Sequence, residues 1–202
     1  VSAGLAPTGI NDGVNAIDDR EYLRQMLAAG LANPGYQNIA VGVHPYGAAN
    51  PPDARCCGNS ERGYDQDPTW FFLDTLEDYR AIVQSSGNPN LQLWGTEFGW
   101  GTYEGFVNPE GTPVPPPADP PYFEWLTQEE QAHYTLRAFE IAQTLPYLGP
   151  MFLWNLNFSA SESIEQADPQ SAYALLVPNV TDPLRPAFKL LEAAPKIGGV
   201  QP

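Results

Sequence analysis

Leu91-Gln-Leu-Trp-Gly-Thr-Glu-Phe-Gly-Trp100 decides how this chain is read. Large apolar residues alternate from Leu91 to Trp94 and are bounded by turn residues, which predicts a buried strand. The strand runs straight into Glu97, a carboxylate with a tryptophan and a glycine on each side. A carboxylate at the end of a buried strand loses hydration unless it is paired, hydrogen-bonded or put to chemical use. The plain alternative is a strand-end glutamate that caps a loop.

Two more stretches share this layout. Ile39-Ala-Val-Gly-Val-His-Pro-Tyr46 is an apolar run ending in His44 and Tyr46, and Met151-Phe-Leu-Trp-Asn-Leu-Asn-Phe158 carries Trp154 near its polar end. In each, the apolar part comes first and the polar or aromatic groups follow, which is where α/β barrels place their active sites. His44-Pro-Tyr46 also reads as a packed strand end before a turn, and Trp154 as core filling. Aromatic rings beside a carboxylate suit a sugar, because the rings cover its apolar face.

Helical patterns separate these strands. Asp18 to Ala29 places Tyr22, Leu23, Met26 and Leu27 on one face behind an acidic start. Pro68 to Ser85 and Thr127 to Leu145 follow, the latter opened by the capping box Thr127-Gln-Glu-Glu130. A last helix spans about Arg185 to Ala193. With Val1 to Pro7 as a short first strand, the tally is four consecutive β/α units. That predicts an α/β fold with parallel strands and covering helices. Such a set is half of an eight-fold barrel, which needs ~250 residues. Residues 1–202 are expected to form a single domain, with 104–125 a Pro-rich insertion loop that is exposed and semi-rigid.

At 202 residues the chain can bury a sizeable core, and 43% hydrophobic and 12% aromatic residues mark a folded protein. Nine Lys and Arg face 24 Asp and Glu, a net charge of −15. That argues against nucleic acid or an anionic membrane as partner. Acidity and long loops lean toward an extracellular, secreted protein. The chain starts with Val1 rather than Met, as a processed product or cut fragment would. Two histidines and no Cys-x-x-Cys give no metal site. No Gly-rich phosphate loop occurs, and nothing calls for a cofactor. Cys56-Cys57 can form a vicinal disulfide, expected if the protein is secreted, or stay free, or pair between chains.

Three motifs resemble glycoside hydrolases of clan A, retaining β-glycosidases on a (β/α)8 barrel. Trp94-Gly-Thr-Glu-Phe-Gly-Trp100 resembles the seventh strand, whose glutamate is the nucleophile. His44-Pro-Tyr46 resembles the sixth, and Phe152-Leu-Trp154 the eighth. The four units then look like strands five to eight of the barrel, a carboxyl-terminal half. The resemblance implies Glu97 as catalytic nucleophile acting on β-linked sugars, His44 and Tyr46 flanking it, and Trp154 as a platform for an oligo- or polysaccharide. Trp100 is a second stacking candidate.

The family's acid/base glutamate follows an asparagine at the fourth strand. This chain contains no Asn-Glu dipeptide, so that group is expected to be missing. The chain alone should then lack meaningful activity. Asp12, Glu61, Asp65, Glu104, Glu162 and Glu165 are loop acids without a motif, and His133 reads as structural. Open sheet edges favour self-association or a separate first-half chain. The alternative function is a non-catalytic carbohydrate-binding or self-associating half-barrel; a flavodoxin-like enzyme fits worse for want of a phosphate loop.

Overall fold

A computed structural model describes residues 1–8, 10–36, 38–58 and 65–195. The elements in chain order are α1 (Asp19–Met26), β1 (Ala40–Val43), α2 (Phe72–Gln84), β2 (Gln92–Phe98), α3 (Tyr122–Trp125), α4 (Gln128–Thr144), β3 (Leu148–Leu153), α5 (Ser161–Glu165) and α6 (Pro186–Ala193). Short 3-10 turns precede α2 and follow α5. The chain forms two compact units. One comprises 1–100 and 138–154, the other 101–137 and 155–202.

The first unit is built on a three-stranded sheet in the order β1-β2-β3, parallel throughout. All four residues of β1 are buried, as an apolar strand covered on both faces requires. The segment expected as a fourth strand, Val1 to Pro7, runs alongside β1 but forms one parallel bridge, Leu5 to Val43. Its bonding shows why no full ladder develops. Ser2 N donates to Ala40 O at 2.8 Å and His44 N to Leu5 O at 2.9 Å, but between them Gly42 N donates to the Ser2 side-chain hydroxyl at 3.0 Å. A side chain replaces a backbone acceptor in mid-ladder. The four expected units thus appear as a three-stranded parallel sheet with one flanking bridge.

Other boundaries moved for local reasons. Asp18 caps α1 by accepting from Glu21 N, but the helix loosens into a π-turn over Leu27–Leu31, where Gly30 adopts φ 124°. The helix expected from Pro68 splits, because buried Phe71 is extended between a 3-10 turn and α2. β3 begins at Leu148 rather than Met151. Gly149 and Pro150 read as breakers, yet β3 is an edge strand, where a missing N–H is tolerated. The capping box is present: Glu130 N donates to Thr127 Oγ1 at 3.1 Å, and Thr127 N to Glu130 Oε2 at 2.9 Å.

Phe72, Phe98, Trp100 and Phe139 pack as tilted and edge-on rings with centroids 5.1–6.4 Å apart. Buried Asp19 ties α1 to α2 by accepting from the Tyr79 hydroxyl at 2.7 Å. In the second unit the Pro-rich stretch is exposed along most of 107–121, but Phe106, Tyr122 and Phe123 at its ends are buried.

Arg185 holds the second unit together. It is 1% exposed. Its guanidinium donates to Gln131 Oε1 and to the carbonyls of Ala172, Thr102 and Glu104 at 3.1–3.3 Å, and it lies over the Phe106 ring. Burial lowers its pKa, opposed by the charge of Glu104. Removing the guanidinium would leave several carbonyls unpaired, at about 1–3 kcal/mol for each one that stays dry. Arg185→Leu is therefore expected to destabilise the protein by about 3 kcal/mol or more, read as a lower urea midpoint. An unchanged midpoint would show that the clamp contributes nothing.

Candidate active site

The first unit brings three of the residues picked from sequence into contact. His44, Pro45 and Tyr46 follow β1, and Glu97 is the penultimate residue of β2. β1 and β2 pair in parallel from Ala40–Gln92 to Val43–Gly95, so both strands end on one side of the sheet. The Tyr46 hydroxyl donates to Glu97 Oε1. His44 Nδ1 lies 3.9 Å from Glu97 Oε2, too far for a hydrogen bond but close enough for the carboxylate charge to act on the ring. The His44 and Tyr46 rings meet edge-on with centroids 6.5 Å apart.

Glu97 reaches this position through an irregularity in β2. Leu93 and Gly95 are buried and Trp94 and Thr96 partly exposed, as a regular pleat requires. Glu97 is then partly exposed as well, so two adjacent residues break the alternation before Phe98 is buried again. The pairing of β2 with β3 shifts register between Gly95 and Phe98, over the same residues. A bulge of this kind re-aims a side chain. The Glu97 side chain ends up 26% exposed and that of His44 18%. A carboxylate held between water and protein by a hydroxyl donor is open to a ligand without being fully solvated.

Trp154 follows β3, and its N–H donates to Phe98 O at 2.8 Å. That bond places it beside the end of β2, and its side chain is partly exposed. Trp100 corrects its expected role. It is 1% exposed and packs on Phe72 and Phe98, so it has no free face for a sugar. Its Nε1 donates to Asn50 O at 2.9 Å. Asn50 closes the turn after Tyr46, bonding Gly47 O at 2.7 Å. A methyl at Gly47 would sit 2.8 Å from Trp100 Nε1, so ring and turn are in close contact. Trp100 thus anchors the loop that leaves Tyr46. Sequence position beside Glu97 hid this, because the partner lies 50 residues away.

The loop acids have other occupations. Asp12 accepts from Val14 N, Asn15 N, Asn15 Nδ2 and Ala16 N. These bonds, Val14's first, hold its pKa well below the ordinary carboxylate range, the reverse of what a proton donor needs. Glu104 accepts from Gln128 N at 2.6 Å, and Glu162 from Gln166. Asp65 is buried. Glu61 lies outside the described residues. His133 is a solvated helix residue 3.9 Å from Glu129. Cys56 and Cys57 form a disulfide. Their loop is anchored by Cys56 N on Asp74 and by Arg55 between Asp74 and Glu77.

No family model and no curated protein matches the chain. Solved structures do. A family 39 glycoside hydrolase from the gut symbiont Bacteroides cellulosilyticus superimposes with a TM-score of 0.52 at 18% identity, over 82% of this chain and 28% of that one. A GH2 β-galacturonidase from Eisenbergiella tayi gives 0.45 at 12% identity, over 76% and 22%. The GH10-containing portion of Clostridium thermocellum endo-1,4-β-D-xylanase 10B gives 0.42 at 16%, over 87% and 26%. The first likeness shows the fold: mixed α/β with a parallel sheet, consistent with a partial β/α barrel. The chain spans less than a third of each of these proteins.

Burial lowers the pKa of His44, and the charge of Glu97 opposes this in part. The folded pKa is thus below the unfolded one, ~6.5. The unfolded chain binds the extra proton, so this group's contribution is intact above ~6.5 and is lost as pH falls toward the folded pKa. His44→Gln should flatten the fall in stability between about pH 7.5 and about pH 5.5, measured by urea unfolding at several pH values. An identical slope in the variant would show that His44 is not held neutral by the fold.

Proposed function

We propose that this chain carries the nucleophile side of a retaining glycoside hydrolase acting on β-linked sugars, with Glu97 as nucleophile. The observation that carries the reading is the Glu97 carboxylate at the end of a parallel strand, hydrogen-bonded by Tyr46 and faced by His44. In this mechanism one Glu97 oxygen attacks the anomeric carbon and forms a glycosyl ester as the bond to the leaving oxygen breaks. A second carboxyl, typically 5–5.5 Å away, gives the leaving oxygen its proton and then takes one from the water that cleaves the ester. Tyr46 holds the attacking carboxylate in place, and His44 contributes to the charge balance around it. Trp154 offers its ring to the sugar.

On this reading the second carboxyl comes from outside these 202 residues, from the same protein or from a separate first-half chain. The sequence has no Asn-Glu dipeptide, and Asp12 and Glu104 are engaged elsewhere. The substrate would be an oligo- or polysaccharide and the setting extracellular. On the alternative reading, of a self-associating or non-catalytic half-barrel, Phe152 is the supporting observation: it is 51% exposed on the edge strand of the sheet.

The test is covalent trapping. The full-length protein is incubated with 2-deoxy-2-fluoro-β-glycosyl fluorides of glucose, xylose and galactose, then digested and mapped by mass spectrometry. One glycosyl group on the peptide containing Glu97 is the expected result. Glu97→Gln should abolish labelling and lower aryl β-glycoside turnover by about 10³-fold or more. Tyr46→Phe removes a hydrogen bond to a charged group, about 1.5–3 kcal/mol, and should slow turnover about 10- to 100-fold. Labelling at another carboxylate, or near-normal turnover in Glu97→Gln, would overturn the assignment.

A further inference from the structure

The His44 ring leans on a place where the chain has no side chain. A methyl group built on Gly4 would collide with His44 Nε2, with His44 Cδ2 at 2.6 Å, and with Thr96 Oγ1. Gly4 does not have a positive φ, so space rather than backbone conformation requires a glycine here. The approach is tight on the other side too. A methyl on Gly42 would fall 2.9 Å from both Cα and N of Gly4. Two glycines therefore let the first segment close on β1, and the imidazole edge fills the remaining space.

Thr96 supplies the second observation. Its hydroxyl is buried and has no hydrogen-bond partner among the described residues. A hydroxyl left in that condition costs about 1–3 kcal/mol, so its presence calls for an explanation. Thr96 precedes Glu97; the regular pleat leaves Thr96 partly exposed, and the bulge does the same for Glu97. Its Oγ1 lies beside the space over Gly4, as does His44 Nε2. The two atoms flank the same point without being hydrogen-bonded to each other, and a small ring movement would let the hydroxyl donate to a neutral Nε2 or accept from a protonated one. The opposite nitrogen, Nδ1, is the one turned toward Glu97.

We infer that Gly4 and Thr96 are positioning residues for His44. The space at Gly4 and the hydroxyl of Thr96 seat the Nε2 edge so that Nδ1 is presented to the Glu97 carboxylate. Its importance for catalysis rests on the reading of Glu97 as nucleophile; the seating itself does not. With the proton held on Nδ1, His44 directs a positive edge at the carboxylate without carrying a full charge. Glu97 on β2 is the charged group facing the ring, and Tyr46 on its own loop is the other titratable one. The Val1–Pro7 segment brings no ionisable side chain, and neither does β3.

The chain has two histidines, so ring-nitrogen NMR can test this directly. Long-range ¹H–¹⁵N correlation spectra of the labelled 202-residue chain report tautomer and titration midpoint for both rings, with exposed His133 as internal control and His44→Gln giving the assignment. In the wild type, His44 should be protonated on Nδ1 when neutral. Thr96→Val replaces the hydroxyl with a methyl of similar size, so the imidazolium loses the nearby oxygen that could accept from it and the His44 midpoint should fall by about 0.5 in pH or more. Thr96→Ser should restore it. Gly4→Ala should displace the ring toward water and raise the midpoint toward ~6.5, with His133 unmoved in every case. Unchanged His44 nitrogen shifts and midpoint in Thr96→Val would overturn the inference, even if Gly4→Ala fails to fold. Trapping at Glu97 is read separately, so labelled Glu97 with an unmoved His44 refutes the seating alone. The reverse pattern refutes the hydrolase reading alone.

Discussion

Everything at the candidate site depends on the parallel pairing of β1 with β2. An antiparallel pair would send the residues after one strand to the opposite edge from the residues after the other. Parallel pairing, from Ala40–Gln92 to Val43–Gly95, sends both continuations to the same edge. His44 and Tyr46 thus meet Glu97 across about 50 residues of sequence. The helix α2 makes this arrangement possible, since parallel strands need a long crossover. The regularity of β1 and the burial of all its residues give that register its strength.

A carboxylate at such an edge needs compensation for lost hydration. Tyr46 provides it directly, and the partly exposed setting leaves part of the hydration in place. His44 adds a group whose charge depends on its surroundings, and burial favours its neutral form. The loop carrying Tyr46 is fixed in turn by Trp100, whose indole N–H bonds Asn50 O. Aromatic packing of Trp100 against Phe72 and Phe98 therefore contributes to the site without touching it. Core and chemistry share one strand, β2, and its bulge is the point where one becomes the other.

The second unit is organised differently. Its interior contains a charged group, Arg185, whose terminal nitrogens donate mainly to backbone carbonyls. A guanidinium presents several donors in a planar fork, so it can close several loop ends at once. Loops predominate in this unit, and their carbonyls lack sheet partners. The buried arginine answers that need, as the rings of Tyr103, Phe106, Phe123 and Tyr173 answer the need for apolar contact.

Periodicity and composition determined a good part of this molecule. They determined that apolar strands precede His44, Glu97 and Trp154, that helices alternate with them, and where the capping box at Thr127 lies. These are local properties, written in spacings of two and of three to four residues. Tertiary structure alone decided the rest. Val1 to Pro7 has a strand-like composition but forms one bridge, because Ser2's side chain takes the N–H that a ladder would use. β3 begins three residues before its expected start, because an edge position tolerates Pro150. Trp100 looks like a sugar platform when read beside Glu97, yet packing encloses it. Neither Gly4 nor Thr96 stands out in the sequence as a site residue, and only the convergence of three separate segments gives them a part in seating His44. A sequence pattern states which face a residue prefers; which atoms meet there depends on register, bulges and the space left by side chains far away in the chain.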